Sequence, residues 1–115
     1  MINKASYQAI GSTLRVLGHP VRIRILLEIG TGEVCVCHLE AQLGIRQAYL
    51  SQQLMALRDA DILKTNKEGR FIYYRIADQK FLDLITYAAK INGISLNEIH
   101  SEKKSCGCPK CCNEK

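Results

Sequence analysis

A chain of 115 residues with 47% hydrophobic side chains and no polar low-complexity tract suits one globular domain, small enough that a partner subunit would add usefully to its core. Its apolar runs fall far short of the ~18 residues a membrane helix needs, and MINKASYQAIGS has no apolar region with a cleavage site, so neither a span nor a secretory leader is expected and the cytoplasm is the expected location. A net charge of +5 points to a polyanionic partner, and in a reducing compartment six cysteines point to metal or redox chemistry rather than a disulfide framework.

Lys4 to Leu17 carries Ile10, Leu14 and Leu17 at helical spacing and reads as an amphipathic helix. Gly18-His19-Pro20 breaks it, and Pro20 suits the first turn of a second helix, where its missing N–H costs nothing. That helix extends to about Ile29, with Ile23, Leu26 and Leu27 expected inside, and Gly30-Thr31-Gly32 ends it. Cys35 to Leu43 has Val36, Leu39 and Leu43 at helical spacing and stops at Gly44. Gln47 then opens another helix, whose buried stripe is Leu50, Leu54 and Leu57. Two short helices around a tight Gly-containing turn form a helix-turn-helix pattern.

Ile62 to Lys67 and Arg70 to Ile76 are rich in β-branched and aromatic residues and flank a turn at Glu68-Gly69, so they are expected to pair as a hairpin. In the second strand Ile72, Tyr74 and Ile76 alternate with Phe71, Tyr73 and Arg75, as a half-buried strand requires. A hairpin directly after a helix-turn-helix is a wing. Asp78 to about Ile91 forms the last helix, with Phe81, Leu84, Ile85 and Ala88 on one face and Leu82 and Ala89 widening it. So broad a stripe on a terminal helix points to a partner subunit. The expected fold is therefore mainly α with a small β-hairpin: a dimeric winged helix-turn-helix of about five helices plus the wing. Residues 1–93 are expected to form the DNA-binding and dimerisation domain, and 94–115 a Cys-rich tail that stays mobile unless a ligand ties it down.

The run from Leu17 to Ile76 resembles the ArsR/SmtB family of metal-sensing winged-helix transcription factors. LGHPVRIRILLEI, VCVCHLEAQLG, LSQQLMALRDADIL and EGRFIYYRI correspond, in order and spacing, to its second helix, metal-site helix, recognition helix and wing. With the flanking helices the resemblance covers roughly residues 5–90 and rests on several motifs in register. It implies a homodimer, built on the first and last helices, that represses an operator in double-stranded DNA and releases it when an inducer binds.

A recognition helix reads base edges with residues near its N-terminus. The outward positions there are Arg46, Gln47, Tyr49, Ser51 and Gln52. The resemblance points to Gln47, Ser51 and Gln52 for base or phosphate contact, and family members often carry His where Gln52 stands. Gln can pair bidentately with adenine, and Arg46 can take guanine or a phosphate. Lys64, Lys67 and Arg70 are expected at the wing tip against the backbone or minor groove, with Arg15, Arg22 and Arg24 adding to the positive field.

On a formed helix, residues i and i+2 point to different sides, so Cys35 and Cys37 can share one ion only if the helix start is loosened or begins after them. Such a site would couple ligand binding to the backbone that supports the recognition helix. The resembled family carries Cys-x-Cys-Asp-Leu here, with a further Cys three positions after the second in its arsenic sensors. This chain has His38 for the Asp and Glu40 where the third Cys would stand. Cys106, Cys108, Cys111 and Cys112 offer replacement thiolates, and Cys108-Pro109-Lys110-Cys111 is a Cys-x-x-Cys pair. Four to six thiolates suit a soft ion: As(III) with three sulfurs, or Cd(II), Pb(II) or Zn(II) with up to four. No organic cofactor is expected.

His19 is expected to be structural, His38 to face solvent, and His100 lies in the tail. A zinc site across the dimer helices is not expected, because Asp78 and Asp83 have no His with them. Two other readings use the same thiols. One is a redox or persulfide switch on the same fold. The other, a dithiol oxidoreductase built on Cys108 and Cys111, lacks the βαβ setting that such motifs normally have.

Overall fold

Asn3 opens the first helix. Its side-chain oxygen accepts the Ser6 N–H at 3.0 Å, which satisfies one of the free amides of a helix start. The structure, a computed structural model, describes residues 3–96. Helix α1 spans Lys4–Leu17 and α2 spans Pro20–Ile29, with Pro20 at the first position as its fixed φ favours. A Cβ at Gly18, between them, would stand 3.0 Å from the Leu14 carbonyl, a tight contact that glycine avoids.

A two-residue strand, β1 (Val34–Cys35), precedes α3 (Val36–Leu43). Gly44, in the left-handed conformation at φ 64°, ends α3 and turns the chain into α4 (Gln47–Asp59), completing the helix-turn-helix. The C-terminus of α4 closes with two bonds: Asp61 N–H to the Arg58 carbonyl at 2.9 Å and Ile62 N–H to the Leu57 carbonyl at 3.0 Å. The chain then enters β2 (Leu63–Glu68), turns at Gly69-Arg70 and returns as β3 (Phe71–Ile76) before α5 (Gln79–Ile91). The turn lies one residue later than the spacing suggested. Its first residue, Gly69, has φ 62°, as the mirror-image turns of two-residue hairpins require.

The five helices and the wing stand as expected, but the sheet has three strands in the order β1-β3-β2. β1 pairs with β3 through Val34↔Tyr74 and Cys35↔Tyr73. A two-residue strand has too few positions for periodicity to reveal it, and its partner is distant in sequence.

One apolar cluster joins the helices to the wing base. Ile25, Leu26, Leu39, Leu50 and Leu57 are completely buried, with Leu54, Ile62 and Leu63 nearly so. Each such side chain stabilises the fold by about 1.5–3 kcal/mol. The α4 stripe is the one expected. The α2 stripe is rotated: Ile25, Leu26 and Ile29 are buried, whereas Ile23 and Leu27 only pack at its edge. In α1 only Leu17 is buried. Ile10 and Leu14 are 54% and 53% exposed, so the expected inner stripe there is an open face in the single chain. On α5, Leu82, Ile85 and Ala89 turn inward while Leu84 and Ala88 stay exposed. Among the described residues, no helix is long and apolar enough to cross a membrane.

Candidate nucleic-acid interface and thiol site

The 3.6-residue repeat that buries Leu50, Leu54 and Leu57 leaves the opposite side of α4 in solvent. Arg46, Gln47, Tyr49, Ser51 and Gln52 are all exposed there. Arg46 is the N-cap but makes no side-chain capping bond, so its guanidinium is not committed to the helix end. Tyr49 shows 47% of its surface, a placement that suits an apolar contact with a thymine methyl.

Lys64, Lys67 and Arg70 are exposed as well. Their places on the wing differ from the grouping read off the sequence. Arg70 sits in the turn and Lys67 pairs with Ile72 near it, whereas Lys64 stands one rung from the hairpin base, opposite Arg75. Strand alternation places Lys64 and Lys67 on opposite faces. Arg75 was not singled out from the sequence, and only the strand register reveals it. Two cations directly opposite each other repel, and an anion between them would relieve that repulsion.

Of the other arginines assigned to the positive field, Arg22 and Arg24 have structural bonds. Arg22 donates to Gln53 Oε1 at 2.8 Å and to the Val16 carbonyl at 3.0 Å. Arg24 donates to the Leu43 carbonyl at 3.2 Å, satisfying one of the free carbonyls at the end of α3. Arg15 is exposed on the last turn of α1.

The thiols occupy the junction between β1 and α3. Cys35 is extended (φ −91°, ψ 167°) and is the N-cap: its Sγ accepts the His38 N–H at 3.3 Å. The helix therefore begins between the two cysteines. Cys35 is 2% exposed beside Tyr73, which is 1% exposed, and the half-buried Cys37 and Phe71 pack against this pair. The two thiols thus share one small cluster despite their i, i+2 spacing. Both are free.

His38 does not face solvent as expected. Its side chain is only 13% exposed, and Nε2 lies 3.0 Å from Glu28 Oε2, tying the start of α3 to α2. His19 is the exposed N-cap of α2, without a side-chain capping bond. Glu40 is half-buried on α3. Among the described residues, no group of three or more His, Cys, Asp or Glu is arranged to hold a metal ion. Cys106, Cys108, Cys111, Cys112 and His100 lie outside the described residues.

Helix α3 lies against α2, β1 and β3, while α4 lies against α2 and β2. Both helices contribute to the shared core, where Leu39 of α3 and Leu50 of α4 are buried.

Residues 19–65 match the family described as bacterial regulatory protein, arsR family. A biofilm growth-associated repressor from Agrobacterium fabrum is 46% identical over 72 residues, which are 63% of this chain and 62% of that protein. The chain therefore spans less than two thirds of that repressor's length. An arsenical resistance operon repressor from Staphylococcus xylosus is 30% identical over 103 residues, covering 90% of this chain and 91% of that one. Among solved structures, an antimony-specific transcriptional repressor superposes with a TM-score of 0.72 at 29% identity, over 81% of this chain and 85% of the other.

Proposed function

The chain belongs to the arsR family of bacterial regulatory proteins, DNA-binding transcriptional regulators rather than enzymes, and from that premise we propose a homodimeric repressor that leaves its operator when a soft metal or metalloid ion binds its cysteine thiolates. The observation that carries the proposal is the Cys35–Cys37 pair in one cluster at the N-terminus of α3, inside a fold whose next helix exposes Gln47, Ser51 and Gln52.

DNA binding is supported by the outer face of α4 and by the cations of the wing. The α4 polar groups suit base edges, and Lys67 and Arg70 suit phosphates on either side of the groove that α4 would enter. An operator-binding dimer also fits the open apolar faces of α1 and α5, since two-fold proteins read two half-sites.

The donors suit a soft ion chemically. Thiolates prefer As(III), Cd(II), Pb(II) or Zn(II) over hard cations, and a bound ion would supply strong bonds that hold them in a fixed geometry. Cys35 would have to give up the His38 N–H and its place against Tyr73. Further donors would come from Cys106, Cys108, Cys111 and Cys112 in the segment 94–115, from either subunit. The names of the relatives, arsenical and antimony-specific repressors, favour a metalloid within this group.

The test is a titration of the protein bound to a duplex selected in vitro from random sequence, with As(III), Cd(II), Pb(II) and Zn(II) added in turn under reducing conditions. Release by at least one ion, lost in Cys35→Ser and Cys37→Ser, is the expected result. Release only by oxidants would replace this reading with a thiol-redox switch. Replacing the four tail cysteines with Ser decides whether they complete the ligand set.

A further inference from the structure

We propose that capture of a soft ion by Cys35 and Cys37 is transmitted to DNA through the wing, along the contact line Cys35–Tyr73–Phe71–Arg70. This inference rests on the soft-ion reading above and names its route.

The line is continuous. Cys35 pairs with Tyr73 across the β1–β3 ladder, and the two are 2% and 1% exposed. Phe71 packs against this pair, its ring centroid 6.5 Å from that of Tyr73 at an interplanar angle of 43°. The Arg70 guanidinium lies 5.7 Å from the centroid of the Phe71 ring, within cation–π range, and Arg70 belongs to the exposed wing turn. One end of the line is thus a pair of thiols and the other a cation available to a phosphate.

The thiols cannot bind a ligand without disturbing this line. To coordinate, each thiol gives its proton to solvent and turns its sulfur toward the ion. Cys35 is buried beside Tyr73 and its sulfur accepts the His38 N–H, so coordination must draw it away from both. β1 holds β3 through only two residue pairs, so this part of the sheet opens more readily than the six-pair β2–β3 ladder. Loss of Cys35 removes the support under Tyr73, which in turn supports Phe71 and the stacked Arg70. The alternative route, from α3 into α4, is less direct, because the main neighbours of α3 are α2, β1 and β3. Tyr73 and Phe71 are therefore positioning residues for the wing rather than passive core.

Hydrogen exchange on the full-length reduced protein, with and without Cd(II), tests the route. The expected result is exchange about tenfold faster in residues 71–76, a modest coupling, while residues 47–59 keep their protection. In parallel, Arg70→Ala is expected to shrink the factor by which Cd(II) weakens operator binding, because the contact that Cd(II) removes is already gone. Faster exchange in 47–59 with 71–76 unchanged would overturn the wing route, as would an undiminished Cd(II) effect in Arg70→Ala. If none of As(III), Cd(II), Pb(II) and Zn(II) releases the operator from the reduced protein, the soft-ion reading fails and this inference with it. Operator release with a quiet wing sinks the inference alone.

Discussion

Arg22 and Gln53 are joined by a 2.8 Å bond from the guanidinium Nε to the amide oxygen, and the same guanidinium donates from Nη1 to the Val16 carbonyl at 3.0 Å. One half-buried side chain on α2 therefore satisfies a carbonyl in the last turn of α1 and holds α4 beside its exposed Ser51 and Gln52. Arg22→Ala is expected to cost about 1.5–3 kcal/mol of stability, the range for bonds made by charged groups in partly enclosed sites. Lys, with a single ammonium in place of the fork, should recover little of it. Urea unfolding checks this. A variant of unchanged stability but weaker DNA binding would return Arg22 to the DNA-facing field where the sequence had put it.

The recognition helix was legible because Leu50, Leu54 and Leu57 keep a strict helical spacing and all face one core. The wing was legible because β-branched and aromatic residues flank a glycine. The environment of Cys35 was not. Its strand has two residues, and its partner is reached only once the wing has folded back. β3 also serves two clusters, with Tyr73 on the thiols and Tyr74 and Ile76 on the main core, so alternation alone did not choose an inner face. On α1, periodicity identified Ile10 and Leu14 as apolar but not what would cover them. Likewise the bonds of Arg22 and Arg24 depend on which helix ends meet, and no local spacing records that.

Asp61 is the only described non-glycine residue with positive φ, at 62°, and it makes the turn that delivers β2 from the end of α4. L-residues pay for this conformation and glycine does not. Asp61→Gly is expected to raise stability by about 1 kcal/mol, at the low end of the left-handed cost because Asp tolerates it better than most. A β-branched residue such as Val should lower stability instead. The sign of the change in urea midpoint for the pair decides whether backbone conformation governs this site.

Lys67 is exposed on β2 near the wing turn, paired with Ile72 rather than with an acidic residue across the ladder. If it contacts a phosphate, Lys67→Ala should weaken binding to all duplexes about equally and reduce the slope of log affinity against log salt by about 1. Lys64 faces the other side of the hairpin, opposite Arg75. Comparing Lys64→Ala with Lys67→Ala therefore shows which face of the wing meets DNA, since only the contacting one should change the slope. An unchanged slope in both variants would remove this strand from the interface.

The apolar faces left open by one chain are on its first and last helices. Tyr7, Ile10 and Leu14 on α1 are exposed, as are Leu84, Tyr87 and Ile91 on α5, and between the two helices a groove of about 370 Å³ is lined by Leu14, Leu17, Ile23, Leu27, Leu84 and Ala88. Contiguous exposure of this kind on a small domain marks a protein contact. Leu84→Glu places a charge in the middle of that face. In an isolated chain the residue is 38% exposed, so the fold itself should lose little, within about 0.5 kcal/mol. In a dimer the charge would be desolvated without a partner, and sedimentation should show the variant as a monomer where the wild type is a dimer. Operator affinity should fall with it, because a two-fold protein reads two half-sites and a monomer holds only one. A variant that remains dimeric, or a monomeric wild type, would show that these faces do not build the assembly.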